Sequence, residues 1–192
     1  MNKIEILTER TKLKLAELSD LNFIHQLHTL PETDEFNALG IPKNIEETKS
    51  VIEPWIKDNQ LDVIENYTFI IEHLESKKPI GLFGLKLGNK KYNRGQVWYK
   101  IHADFWRKGY ATETLGMVIE YGFDTLQLHR IEAGCAVENI GSIKVLEKVG
   151  MIREGRGRKV LPLKSGWSDN FEYSILETDV RKTNNKNTHS EE

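Results

Sequence analysis

The chain has 192 residues, 39% of them hydrophobic and 29% charged, a length and balance that fit one folded domain with a packed core. Its net charge of −2 and pI near 6.3 exclude a general attraction to nucleic acid or anionic membrane. One cysteine, Cys135, excludes an intramolecular disulfide, and no apolar run is long enough for a signal peptide or a membrane span; a cytoplasmic protein is expected.

In chain order, Thr11 to Leu18 alternates Leu13, Leu15 and Leu18 and predicts a first strand. Ser19-Asp20 offers an N-cap for a helix to about Leu30, with Leu21, Ile24, Leu27 and His28 on one face. Residues 31–43 read as loop. A second helix is expected from Asn44 or Ile45 to about Asp58, with Ile45, Thr48, Ile52, Trp55 and Ile56 as its stripe and a kink or break at Pro54. Tyr67 to Leu74 and Ile80 to Leu87 flank turn-forming Glu75 to Pro79 and predict a hairpin.

The most informative stretch runs from Gln96 to about Leu126. Val97, Tyr99 and Ile101 alternate with Trp98, Lys100 and His102, the period of a strand. From Tyr110 the apolar residues Leu115, Val118, Ile119 and Phe123 recur at spacings of three and four, the period of a helix. Between them lies Trp106-Arg107-Lys108-Gly109-Tyr110-Ala111. A strand that turns through glycine into a helix aims free backbone N–H groups at one point, where the helix dipole and two basic residues attract phosphate. Arg130 to Val137 is the next strand, and a helix between two strands of one sheet suggests a parallel βαβ unit. Asn139 caps a further helix that stops at Gly150; 153–164 and 167–177 read as a closing strand pair. One domain, 1–180, is expected, with 181–192 a disordered tail because it lacks an apolar anchor.

Three ordered segments carry a family resemblance. Trp106 to Ala111 resembles the acyl-CoA pyrophosphate loop of the GNAT acetyltransferases, with Gly109 and Ala111 in its small-residue positions and Trp106 where Gln or Arg is commoner. Gly109-Tyr110-Ala111-Thr112-Glu113 is similar to the branch that acetylates ribosomal-protein N-termini. So are Leu7-Thr8-Glu9-Arg10 with Leu13, and Asn139, Ser142, Leu146-Glu147-Lys148, Gly150 and Met151. A lone glycine loop would be weak evidence; the ordered set, covering roughly residues 7–178, is specific.

The resemblance implies a mixed α/β GNAT fold: a twisted, mostly antiparallel sheet with a splayed parallel central pair and helices on both faces. It implies acetyl-CoA as co-substrate and direct attack of an amine on the thioester. Arg107, Lys108, Gly109, Tyr110, Ala111 and Thr112 would hold the pyrophosphate. The strand at Tyr99 and Ile101 would pair with the pantetheine arm, and the Ile101 N–H would donate to the thioester carbonyl. Asn139 and Ser142 would meet the pantetheine and the sulfur, though both also read as helix-capping residues. Lys148 reads as a ribose-phosphate contact or as a solvated lysine.

Glu138, Asp169 and His102 are the general-base candidates. The implied acceptor is a protein N-terminal α-amine, as on a ribosomal protein. A small amine such as a polyamine, amino acid or aminoglycoside stays open, as does a CoA-binding sensor without catalysis. Dimers are common among proteins of this resemblance. Neither a metal site nor a direct nucleic-acid role is expected. The six histidines show no metal-ligand spacing, and Arg153, Arg156, Arg158 and Lys159 read as a solvated basic face. Cys135 reads as a buried small hydrophobe.

Overall fold

A computed structural model describes residues 4–181. The strands are β1 (Glu5–Leu7), β2 (Thr11–Leu15), β3 (Asn66–His73), β4 (Lys78–Leu87), β5 (Arg94–Ile101), β6 (Arg130–Ala136), β7 (Ile152–Leu163) and β8 (Gly166–Leu176). They form one eight-stranded sheet in the order β1-β2-β3-β4-β5-β6-β8-β7. Only the β5–β6 pair in this sheet is parallel; the other neighbours are antiparallel. The helices are α1 (Leu21–Thr29), α2 (Pro31–Asp34), α3 (Ile45–Asn59), α4 (Tyr110–Glu120) and α5 (Ile140–Lys148). The expected fold class is the one found.

Strand alternation divides the core. Leu13, Phe69, Phe83, Leu85, Val97 and Ile131 pack with Leu115 and Val118 of α4 and Leu146 of α5. The intervening Ile70 and Leu82 pack on the opposite face with Ile24 and Leu27 of α1 and Ile52 and Ile56 of α3. A period of two thus gives each helical layer its own apolar surface, the requirement for a sheet covered on both sides.

Several boundaries differ from the sequence reading. β1 is only three residues long, too short for a periodic signal, and is held by pairing with β2. The first helix ends at Thr29, and within the expected loop 31–43 lies α2, where Pro31 occupies a first-turn position that needs no N–H donor. Helix α3 is not broken at Pro54, which is exposed, so water can satisfy the carbonyl that proline leaves free, while buried Ile52 and Ile56 anchor the helix on either side. Asn44 caps α3 by accepting the Glu47 N–H at 2.9 Å.

Helix α4 gives way at Tyr121 to a π turn through Thr125. Gly122 permits this turn to close on β6, because a Cβ there would stand 2.7 Å from the Ile131 side chain. Of the expected tail 181–192, residues 182–192 lie outside the described region. Arg181 reaches back to Glu120 and Asp124, at 3.0 and 3.1 Å, and lies over the Phe123 ring.

Leu82 is fully buried. Leu82→Ala should cost about 2–5 kcal/mol in urea unfolding, through lost burial and a residual cavity. Val180→Ala, at a side chain 88% exposed, should change stability by less than about 0.5 kcal/mol.

Candidate functional site

The site begins where the central ladder ends. β5 bonds to β4 through its even-numbered residues, as the 2.8 Å bonds from the Gly88 N–H to the Arg94 carbonyl and from the His102 N–H to the Ile80 carbonyl show. Its odd-numbered residues therefore aim their backbone groups at β6. That parallel ladder stops at the pair Val97 and Ala133. Tyr99 and Ile101 lie beyond it, so their backbone groups face an opening rather than a strand. On the other side of the opening, β6 continues to Ala136, paired with β8. An unpaired edge of this kind suits an extended ligand that carries its own amides.

At the end of β5 the chain makes a short 3-10 turn and enters α4. The Trp106 indole N–H donates to the Ile101 carbonyl at 2.7 Å, so the residue in the unusual motif position ties the loop to the strand end. Arg107 has φ +59° and Gly109, the N-cap of α4, has φ +86°. Gly109 offers no side-chain cap, and the first N–H groups of α4, at Tyr110, Ala111 and Thr112, have no intrahelical acceptor. Lys108 lies over the Phe105 ring. These residues are brought together as the sequence suggests, in an arrangement fit for a phosphate group.

The structure also shows how the signatures at residues 7–13 and 109–113 meet, a link sequence reading missed. Arg10 donates its backbone N–H and its Nε–H to the two oxygens of Glu113, at 2.8 and 2.6 Å, and the Thr8 hydroxyl donates to the same carboxylate. Arg10 also donates to the Lys108 carbonyl at 3.0 Å and lies 4.5 Å over the Tyr110 ring. The β1–β2 turn is thereby clamped to the start of α4. Burial would raise the Glu113 pKa; the hydrogen bonds from Thr8 and Arg10, with the Arg10 charge, outweigh it and hold it below the usual value.

Asn139 accepts the Ser142 N–H at 3.0 Å and caps α5. Ser142 stands beside the Tyr99 phenol, whose hydroxyl is buried and lacks a hydrogen bond of normal geometry. Burial pushes this phenol well above its usual pKa, Ser142 offsets part of the rise, and the hydroxyl stays protonated at neutral pH. Cys135 on β6 is buried and its thiol is pushed up to about 11, so it lacks the thiolate character of a nucleophile.

Of the acid and base candidates, Glu138 and Asp169 lie close together where β6 meets β8, joined through Ser168, and His102 follows β5. Both oxygens of Asp169 are engaged: Arg156 donates at 2.7 Å and the Lys159 N–H at 2.9 Å. The Lys159 bond and the Arg156 pairing hold its pKa down, which makes Asp169 a poor proton acceptor and a staple for the β7 bulge at Lys159. Glu138 is exposed and accepts from the Ser168 hydroxyl at 2.9 Å. His102 caps the 3-10 turn by accepting from the Asp104 N–H at 3.3 Å. Lys148 is exposed in the last turn of α5.

On the α1–α3 face, sequence reasoning pointed to the 31–43 segment as a wall of the acceptor pocket but singled out none of Asp34, Asn37 and Lys100. The Asp34 Oδ1, Asn37 Nδ2 and Lys100 Nζ atoms are buried without hydrogen-bond partners. Only Lys100 carried a signal, as a lysine in mid-strand between Trp98 and His102. Burial pushes its ammonium down to about 8, against the attraction of Asp34, and His28 is held near 4 by burial and then by Lys100 and His25. A cavity of about 460 Å³ lies between the residues after α2 and the β7–β8 turn. Among the described residues no group of three or more His, Cys, Asp or Glu side chains could hold a metal ion, and no helix is long and apolar enough to cross a membrane.

Glu113→Gln should lower stability at pH 7 by about 1–3 kcal/mol, since it loses a charged acceptor from a part-buried network. The lowered pKa means that the carboxylate stabilises the fold above the unfolded value of about 4.3 and that this contribution fades as pH falls through the folded pKa. Thermal melts from pH 7 to pH 3 should show the gap to the parent protein closing.

Residues 10–152 match the family described as acetyltransferase (GNAT) domain. An uncharacterized N-acetyltransferase of Bacillus subtilis, YnaD, is 30% identical over 175 residues, covering 91% of this chain and 98% of that protein. The ribosomal-protein-S5-alanine acetyltransferase of Vibrio fischeri superposes with a TM-score of 0.78 at 21% identity, covering 92% of this chain and 98% of that one. The spermidine N-acetyltransferase of Vibrio cholerae, solved with CoA and spermine, gives 0.76 at 24% identity, covering 87% and 95%. The two solved structures speak for the fold, and the family match, spanning both the ladder opening and the Gly109 helix start, settles membership: the chain belongs to the GNAT N-acetyltransferases.

Proposed function

We propose that this GNAT enzyme uses acetyl-CoA to acetylate a protein N-terminal α-amine, of the kind a ribosomal protein presents, by direct attack on the thioester. The observation that carries the acetyl-CoA half is the β5–β6 opening, which ends within a few residues of the uncapped start of α4. The pantetheine amides would pair with Tyr99 and Ile101, and the pyrophosphate would meet the N–H groups of Tyr110, Ala111 and Thr112, with Arg107 and Lys108 adding charge.

The Ile101 N–H would donate to the thioester carbonyl, where negative charge develops. Asn139 fixes the first turn of α5 and so places Ser142 beside the Tyr99 hydroxyl. Either hydroxyl would stand near the departing sulfur. A thiol of pKa near 8.5 leaves well as the thiolate, so protonating it helps without being essential. An α-amine, with a pKa near 8, is partly neutral at physiological pH and needs a weaker base than a lysine amine near 10.4. A water leading to Glu138 would serve; Asp169, already paired, would not. The ribosomal acceptor is supported by the branch signatures around Arg10, Gly109 and Ser142. Likeness in sequence to a spermidine N(1)-acetyltransferase of Vibrio cholerae, 27% identical over 143 residues, supports a polyamine as the competing acceptor.

Thiol release from acetyl-CoA, measured against N-terminal peptides and small amines, tests this. Peptides should turn over and polyamines should not; the reverse result refutes the N-terminal reading. Gly109→Trp, at a positive φ and with a Cβ 3.3 Å from the Arg10 guanidinium, should raise the KM for acetyl-CoA more than about tenfold. Ser142→Ala should lower kcat by less than about a hundredfold, below what an essential general acid contributes.

A further inference from the structure

Buried polar atoms in folded proteins are almost always paired, so unpaired ones grouped in one place call for a ligand or a water. Among the described residues such side-chain atoms fall on Asp34, Asn37, Tyr99 and Lys100. Tyr99 lies on the cofactor face of β5. Asp34 and Asn37 line the cavity at its α2 end, and Lys100 lies on the same side of the sheet, near Asp34.

Local structure explains how they arrive there. The Thr33 hydroxyl donates to the Leu27 and Leu30 carbonyls, at 2.7 and 3.0 Å, folding α2 back against α1. Asp34, the next residue, is thereby turned inward to 4% exposure. The Asn37 N–H then donates to the Asp34 carbonyl at 3.0 Å, closing a turn that sets both side chains on the wall of the 460 Å³ cavity. Lys100 comes from β5, opposite Leu82, with its side chain on the α1–α3 face by register. It lies near enough to Asp34 to feel its charge, yet the two do not close to an ion pair. Lys100 sits between Tyr99 and Ile101, the two residues that border the opening.

These three groups have a definite chemical demand. Asp34 Oδ1 accepts; Asn37 Nδ2 and Lys100 Nζ donate. A ligand that satisfies all of them carries an amine and, next to it, an oxygen acceptor. We propose that Asp34, Asn37 and Lys100 read an α-amino carbonyl unit: Asp34 takes the amine, and Asn37 and Lys100 take the carbonyl or carboxylate oxygen one carbon away. A polyamine has donors and positive charge alone. It would leave Asn37 and Lys100 unpaired and set its ammonium against that of Lys100, a penalty rather than a missing contact. Leu39, Ile41 and Leu163, with Lys164 beside them, also line the cavity and offer apolar surface to the first side chain of the acceptor.

This inference rests on the proposed N-acetyltransferase activity for its location but is tested by binding, so the two can fail separately. With CoA present, calorimetric titration of the parent protein with an alanine-headed tripeptide, free alanine, the N-acetylated tripeptide and spermidine gives the affinities. The tripeptide or alanine should bind, and the acetylated peptide and spermidine should bind at least about tenfold more weakly. Tripeptide against free alanine separates a peptide terminus from an amino acid. Asp34→Asn should weaken tripeptide binding about tenfold or more, and Lys100→Met should narrow the preference over spermidine. Asn37→Ala, in a part-buried loop position, provides a milder variant should either buried substitution unfold the protein. Spermidine binding as tightly as the tripeptide, affinities unmoved in all three folded variants, or no binding by any probe would overturn the proposal. Binding as described without thiol release would instead refute the activity and leave the recognition site standing.

Discussion

The structure depends on one interruption: the parallel ladder between β5 and β6 ends at Val97 and Ala133. Each strand has a second, uninterrupted partner. β5 stays paired with β4 through Ile101 opposite Gly81, and β6 with β8 through Ala136 opposite Asn170. The two halves of the sheet therefore hold the two strands in place while their shared edge opens. Backbone N–H and C=O groups left facing a gap inside a protein demand partners. In this protein the demand falls on the Tyr99 backbone and on the Ile101 N–H, the Ile101 carbonyl being engaged by Trp106; the two residues are one period of two apart, a spacing that an extended amide-bearing arm can follow.

A gap in a sheet is of use only if both ends are fixed. At one end the fixing is done by the Arg10–Glu113 network, which joins the β1–β2 turn to the first turn of α4 across more than a hundred residues of sequence. Glu113 places a carboxylate in the positive first turn of a helix, a favourable position that would compete with a bound phosphate were it free. Its pairing with Arg10 and Thr8 directs it away from that role and leaves the N–H groups of Tyr110, Ala111 and Thr112 available. Trp106 completes the arrangement by tying the loop to Ile101, the residue at the lip of the opening.

The strand and helix order was legible because both periods are clean in this chain, and the Gly109 turn and the Asn139 cap carry strong local chemistry. The splay itself was not: Tyr99 and Ile101 alternate as well as any paired strand, and only the family resemblance foretold a missing partner. α2 was illegible for a different reason. Four residues are too few to show a helical period, and burial of Asp34 follows from a tertiary fold-back through Thr33 rather than from any local propensity. Asp169, a general-base candidate in the sequence, meets Arg156 and a bulge at Lys159 whose positive φ no sequence pattern announced.

The sheet also separates two chemical environments. The α4–α5 face brings helix termini, backbone donors and the Tyr99–Ser142 hydroxyls, which suit a ligand rich in phosphate and amide. The α1–α3 face brings a buried carboxylate and a buried ammonium that fail to meet each other. Two opposite charges left apart in a poorly solvated site are costly, since neither recovers its lost hydration. A bound zwitterion or peptide terminus would satisfy Asp34 and Lys100 at once, and Lys100 lies between Tyr99 and Ile101, the two residues beyond the end of the β5–β6 ladder.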